Sequence, residues 1–237
     1  MNKIALPTFL VPTYKTKLLR FGSKFDGGYL LNEIDISKSD TLISLGIHEN
    51  WDFEKELYEK YKFKNIVLFD PETSHTLIFI YLIKSIIKLN FKNAFLYFKK
   101  FNGLKILKSY SIFLKKKFNK KLIPSFIESK NILLKIDIEG DEYKNLDFIL
   151  NNQNNLNCLV IEFHDVENHN DIIKSFISKF KLNLIHTHVN TFSKKENLVL
   201  ELTFSKNAIM SNEKWTQLSL DKIDFPNHPK HKNIQII

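Results

Sequence analysis

Asp70, Asp137 and His164 each stand at the C-terminal end of an apolar run, after Ile66-Val67-Leu68-Phe69, Ile132 to Ile136 and Leu159 to Phe163. His186, His188 and Asn190 lie two apart near the end of another such run, so they can share one face of a strand. One carboxylate and two imidazoles on neighbouring strand ends make a facial set for a divalent ion. Asp137, His164 and His188 are the candidate ligands, with His186 the rival to His188. That donor set suits iron or manganese better than calcium, and magnesium is a further candidate. A cation held there anchors two substrate oxygens and lowers the pKa of an attacking hydroxyl. The plainer reading is that the histidines hydrogen-bond substrate or one another. A histidine or Glu139 is then the natural general base. Asp137, Glu139 and His164 are the candidate catalytic residues.

Glycine and arginine are scarce, which makes each one informative. Arg20 is the only arginine among 35 basic residues, and there are six glycines in 237 residues. Five of the six fall in three short segments: Arg20 to Tyr29, Ser44 to Ile47, and Lys135 to Glu142. Gly46 ends an apolar run, where a missing Cβ lets backbone approach a ligand or simply allows a tight turn. Asp70 can accept both hydroxyls of a ribose, or cap a helix ahead of Pro71. Asp26-Gly27-Gly28 can form a turn folding over a ligand. Arg20, six residues earlier, can bind a ligand carboxylate or phosphate through its fork, or pair with Asp26.

The elements that must position these residues alternate. Strands are expected over 41–47, 66–69, 132–136, 159–163, 182–189 and 198–204. Helices are expected over 52–61, 142–150 and 171–180, and over 74–118 in pieces broken near Asn90 and Asn102-Gly103. Such alternation implies βαβ units and a mostly parallel, doubly wound α/β sheet. The loop from Asn190 to Asn197 is too short for a parallel crossover, so the last strand should run antiparallel. Ligands of such sheets bind outside the carboxyl ends of the strands, which is where the acids, histidines and glycine turns collect. A single domain over 1–237 is expected, with a lysine-rich helical insertion at about 73–127 and an irregular tail at about 207–237.

Composition excludes several classes. The single cysteine, Cys158, rules out an internal disulfide framework and any multi-cysteine metal site. No apolar stretch is long enough to span a membrane, and the first residues lack a signal-peptide core, so a cytoplasmic location is expected. The net charge is +9, yet residues 73–127 alone hold twelve lysines and no acid. That segment is a solvated cover, a site for an anionic sugar-type substrate, or a contact for an acidic membrane surface. A lone arginine and no binding module argue against nucleic acid.

The segment Lys135-Ile136-Asp137-Ile138-Glu139-Gly140-Asp141-Glu142 resembles the strand-end signature Lys-x-Asp-x-Glu-Gly-x-Glu of FkbM-type methyltransferases. Arg20 with Asp26-Gly27-Gly28-Tyr29, Leu45-Gly46, Phe69-Asp70, and the His186-Thr187-His188 and Glu201-Leu202-Thr203 stretches support it, over roughly residues 18–206. The resemblance implies a class I, Rossmann-like methyltransferase fold with S-adenosylmethionine (SAM) as cofactor. It implies cofactor contacts at Gly46, Asp70, Asp26, Gly27, Gly28 and Arg20, and a segment around Asp137 and Glu139 bordering both cofactor and substrate. It also implies O-methylation of a small sugar-like hydroxyl, nucleotide-linked or a glycan precursor. A phosphate-like or lipid-linked acceptor, or a non-catalytic binding protein, are the alternatives. The chain departs from the usual glycine-rich cofactor loop in keeping only Gly46.

Overall fold

The apolar runs that end in glycine or acid all become strands of one sheet. The computed structural model describes residues 3–48, 50–119, 129–191, 197–210, 222–228 and 234–236. Its main sheet has seven strands: β1 (Thr41–Leu45), β2 (Asn65–Phe69), β3 (Ile112–Leu114), β4 (Ile132–Ile136), β5 (Leu156–Phe163), β6 (Asn183–Thr191) and β7 (Val199–Ser205). Their order is β3-β2-β1-β4-β5-β7-β6. The pairs β1–β2, β1–β4, β2–β3 and β4–β5 are parallel. β7 runs antiparallel to both β5 and β6, as the short loop before it requires. The order reverses between β1 and β4, where a doubly wound sheet binds its ligand.

Side chains alternate between two cores. On one face Leu45, Phe69, Ile136, Ile161 and Leu202 pack with Ile149 of α5 (Leu146–Asn152) and Ile173 and Phe176 of α6 (Val166–Lys179). On the other, Leu42, Leu68, Leu133 and Val160 meet Phe53 and Leu57 of α2 (Asp52–Tyr61). These two lie four apart and are fully buried, each stabilising by about 1.5–3 kcal/mol. A short helix, α1 (Glu33–Ser37), precedes β1.

The second face carries a hairpin that the sequence pattern did not show. Leu18–Gly22 pairs antiparallel with Gly28–Asn32. It closes over the sheet: Thr203 Oγ1 donates to the Leu30 carbonyl at 2.9 Å, and Asn32 Nδ2 to Ser205 Oγ at 3.0 Å.

The lysine-rich segment, of which residues 120–127 lie outside those described, holds two helices, α3 (His75–Ile87) and α4 (Phe91–Tyr110), followed by β3. The break at Asn90 is where expected, and its side chain caps α4 by accepting from Asn93 N. The break expected at Gly103 is absent, because α4 runs straight through it. A Cβ there would lie 2.9 Å from the Trp51 indole nitrogen, so the glycine serves close packing rather than a turn. Residues 142–145 are a 3₁₀ turn ahead of α5, and β3 falls where helix was expected. Of the tail expected to be irregular, residues 211–221, 229–233 and 237 lie outside the described residues. Ile209–Met210 pairs with Tyr14–Lys15, and Gln235–Ile236 pairs with Lys3–Ile4.

Candidate active site

Two cavities open over the carboxyl ends of the strands and share a wall. The larger, about 700 Å³, is lined by Gly46 after β1, Asp70 after β2, Lys116 and Lys117 after β3, and Asp137, Glu139 and Asp141 after β4. The smaller, about 180 Å³, is lined by Asp26, Gly27 and Tyr29 of the hairpin, with Glu54, Lys135 and Glu162. His48, Asp137 and Glu139 line both.

Gly46 makes this arrangement possible. Its φ is +76°, and a Cβ would sit 1.7 Å from the Asp137 carbonyl oxygen. The turn after β1 therefore packs backbone to backbone on the turn after β4. The strand ends are stitched there, with Gly46 N donating to Phe69 O at 2.9 Å and Asp137 N to Leu45 O at 3.0 Å.

Asp70 is 1% exposed and anchors the same turns. One carboxylate oxygen accepts from Ile47 N and His48 N at 3.0 and 2.7 Å. The other accepts from Glu72 N and Thr73 N at 2.8 and 2.6 Å. Burial alone would raise its pKa, but these four backbone donors outweigh it and hold Asp70 below the usual carboxylate range. Asp70 thus caps a turn rather than a helix, and it stays in the lining of the larger cavity.

In the motif from Lys135 to Glu142, Asp141 pairs with Lys144 and lies 3.4 Å from Lys117. Lys135 is buried, donates to the Gly46 carbonyl, and pairs with Asp137 at 3.5 Å. Burial works against its charge, but Asp137, Glu54 and Glu162 more than restore it. The Tyr29 hydroxyl donates to Asp137 at 3.1 Å. Glu139, at φ +54°, reaches His48 at 3.3 Å and His164 at 3.4 Å. Glu142 is fully buried and accepts from Ile138 N and Gly140 N, both at 3.1 Å, which folds the loop.

His164 sits among carboxylates, with Nδ1 3.1 Å from Glu142 and Nε2 3.2 Å from Glu162. Burial lowers its pKa, but Glu142 and Glu162 raise it more, up to about 10. A pKa in that range favours the charged imidazolium, which can donate to Glu142 and Glu162.

The expected metal set is corrected at one position. Asp137 and His164 do converge, but with Glu162, their ligand atoms all within 4.8 Å of one another. His188 lies elsewhere, 3.0 Å from Asp224, and His186 is 3.1 Å from the same carboxylate. The strand register explains this. Glu201 stands opposite both His188 and Glu162, so β7 intervenes between β6 and β5. Glu162 had a signal in the sequence: an acid inside an apolar strand, two residues before His164 and on its face. Lys135 and Glu201 carry the same signal.

Arg20 is not in the lining of either cavity, and among the described residues it makes no ion pair with Asp26. Its guanidinium donates to three backbone carbonyls: Ser23 at 3.1 Å, Phe25 at 2.9 Å and Ile223 at 3.3 Å. Gly28 leaves it room, since a Cβ there would be 2.5 Å from Nη2. Arg20 and Gly28 shape the turn, and Asp26 and Gly27 line the smaller cavity.

The strand order, the antiparallel β7 and the cleft beside the glycine turn define a Rossmann-like, class I methyltransferase fold. No protein-family model matches the chain, and no curated protein matches it. Among solved structures, an rRNA methylase from Streptococcus thermophilus is 9% identical, over 73% of this chain and 92% of that one, with a TM-score of 0.43. M. capricolum TrmK in complex with S-adenosylhomocysteine is 12% identical, over 81% and 75%, with a TM-score of 0.41. The Methanococcus jannaschii fibrillarin pre-rRNA processing protein is 8% identical, over 81% and 83%, with a TM-score of 0.44.

Proposed function

We propose that the protein is a SAM-dependent O-methyltransferase acting on a hydroxyl of a small sugar-like acceptor. The observation that carries the reading is the wall of His48, Asp137 and Glu139 between two cavities at the switch point of the sheet. The resemblance of residues 135–142 to the FkbM-type signature supports it. The larger cavity fits a nucleoside-sized cofactor, and the side-chain-free turn at Gly46 is where a ligand can meet backbone. SAM, when bound, supplies a methyl group on a sulfonium.

The chain's own residues would do the rest. Asp70 fixes the turns at residues 46–48 and 72–73. Glu72 lines the same cavity and is the carboxylate left to take ribose hydroxyls. Asp26, Glu54, Asp137, Glu139 and Glu162 surround the smaller cavity. Five carboxylates accept hydrogen bonds from a neutral polyhydroxy group and repel a phosphate. Asp137 or Glu139 would take the acceptor's hydroxyl proton as its oxygen receives the methyl group that SAM would supply. The products are a methyl ether and S-adenosylhomocysteine.

Asp137, Glu162 and His164 offer two carboxylates and one imidazole, a set that fits manganese, iron or magnesium. A cation there would anchor the acceptor's oxygens and offset the cluster's negative charge.

The test is a thermal shift with S-adenosylhomocysteine. At 100 times Kd it should add about 2.7 kcal/mol of stability. No shift at millimolar ligand would end the reading.

A further inference from the structure

We infer that the outer half of the α3–α4 hairpin is a docking surface for an anionic lipid bilayer. The inner half is fastened to the body of the protein. Ile78, Leu104 and Leu107 are buried, Gly103 packs on Trp51, and Tyr110 stacks on Tyr58 at 3.7 Å. Among the described residues the outer half has no such partner. Residues 86–93 are all exposed, and at the tip Ile87 is 75%, Leu89 73% and Phe91 74% exposed. Phe95 and Phe98 continue the apolar surface along α4. A soluble protein does not normally display a patch of that kind without something to cover it.

Charge identifies the cover. Lys84, Lys88, Lys92, Lys99 and Lys100 are interleaved with the exposed apolar residues, and residues 73–127 contain no acid. A second copy of this surface would bring lysine against lysine. An anionic bilayer supplies both missing complements: phosphate for the ammonium groups and acyl chains for the aliphatic and aromatic tips. The long lysine stems let apolar residues enter while the charges stay at headgroup level. Lys84, Lys99 and Lys100 already lie over the Tyr81, Phe95 and Tyr97 rings. No helix among the described residues is long and apolar enough to cross a membrane, so the contact is peripheral. The hairpin leaves the carboxyl end of β2, which borders the larger cavity, and returns to the start of β3.

The experiment is co-sedimentation of the full chain with vesicles of phosphatidylcholine alone, or two parts phosphatidylcholine to one part phosphatidylglycerol. The protein should bind the anionic vesicles, and binding should fall as salt rises. Changing Lys84, Lys88 and Lys92 together to Gln should weaken binding on the order of 100-fold, about fivefold per lysine. The pair Ile87→Glu and Phe91→Glu should abolish it. These side chains are exposed, and circular dichroism with an unchanged Tm verifies folding of both variants. Equal binding to neutral vesicles, or no binding to anionic ones at low salt, overturns the inference. So does a dimer in sedimentation equilibrium that Ile87→Glu and Phe91→Glu dissociate, without vesicle binding, because a second copy is then the occupant.

Discussion

Asp70 and Glu72 lie two residues apart on the same cavity, and the structure gives them different work. Asp70 holds four backbone N–H groups, so Asp70→Asn puts an amide NH₂ against donors and should cost about 2–4 kcal/mol of stability. The pH dependence has a definite sign. A carboxylate depressed by folding stabilises above its unfolded pKa of about 3.9 and loses that contribution as pH falls through the folded value. The difference in stability between wild type and Asp70→Asn should therefore close in acid. Glu72→Gln should leave Tm alone and weaken S-adenosylhomocysteine binding. Calorimetry showing the reverse division would exchange their roles. Glu162→Gln removes one oxygen from the set with Asp137 and His164, so it should abolish manganese binding and spare the cofactor. Unchanged manganese affinity would remove Glu162 from the site.

The helix α4 shows how packing overrides local preference. In an isolated helix Gly103→Ala should gain about 1 kcal/mol. Here the added Cβ meets the Trp51 indole at 2.9 Å, and Trp51 is buried. The variant should lose about 1–3 kcal/mol instead, read as a lower Tm. A rise in Tm would mean that the indole can move aside. The same helix marks a limit of sequence reading, because glycine as a breaker and glycine as a packing notch look alike. Strands with long apolar runs were legible, as was the antiparallel β7, because burial on both faces leaves an unbroken hydrophobic signature. The hairpin at Leu18–Asn32 and the three-residue β3 were not, since their pairing depends on what they cover. Asp137 and His164 could be placed at one edge from strand ends alone. Their third partner could not, because choosing Glu162 over His188 requires knowing that β7 lies between β5 and β6.

At the scale of the whole molecule, residues 222–228 cross the sheet face and fasten it to the hairpin. Ile223 O accepts from Arg20, Asn227 O accepts from Asp26 N at 3.1 Å, and Asn227 Nδ2 donates to Glu201 at 3.2 Å. At the centre Asp224, 2% exposed, faces both His186 and His188. Burial and Arg20 oppose a proton on His188, but Asp224 with Glu201 outweighs them and raises its pKa to about 9. Asp224 itself is driven below its usual range by the two histidines, against the effect of burial. A histidine whose pKa rises on folding stabilises fully below its unfolded value of about 6.5, and that contribution disappears as pH climbs through 9. The aspartate contributes above about 3.9, so the clasp is strongest between these limits. Asp224→Ala strands the histidines in a buried site and should cost about 3–5 kcal/mol at pH 6. Wild-type stability should fall from pH 6.5 to 9, and the variant should follow a flatter line over that range. Urea unfolding of both proteins across that range is the measurement. Parallel slopes would mean that the Asp224–histidine pairing does not govern the closure of the tail over the sheet.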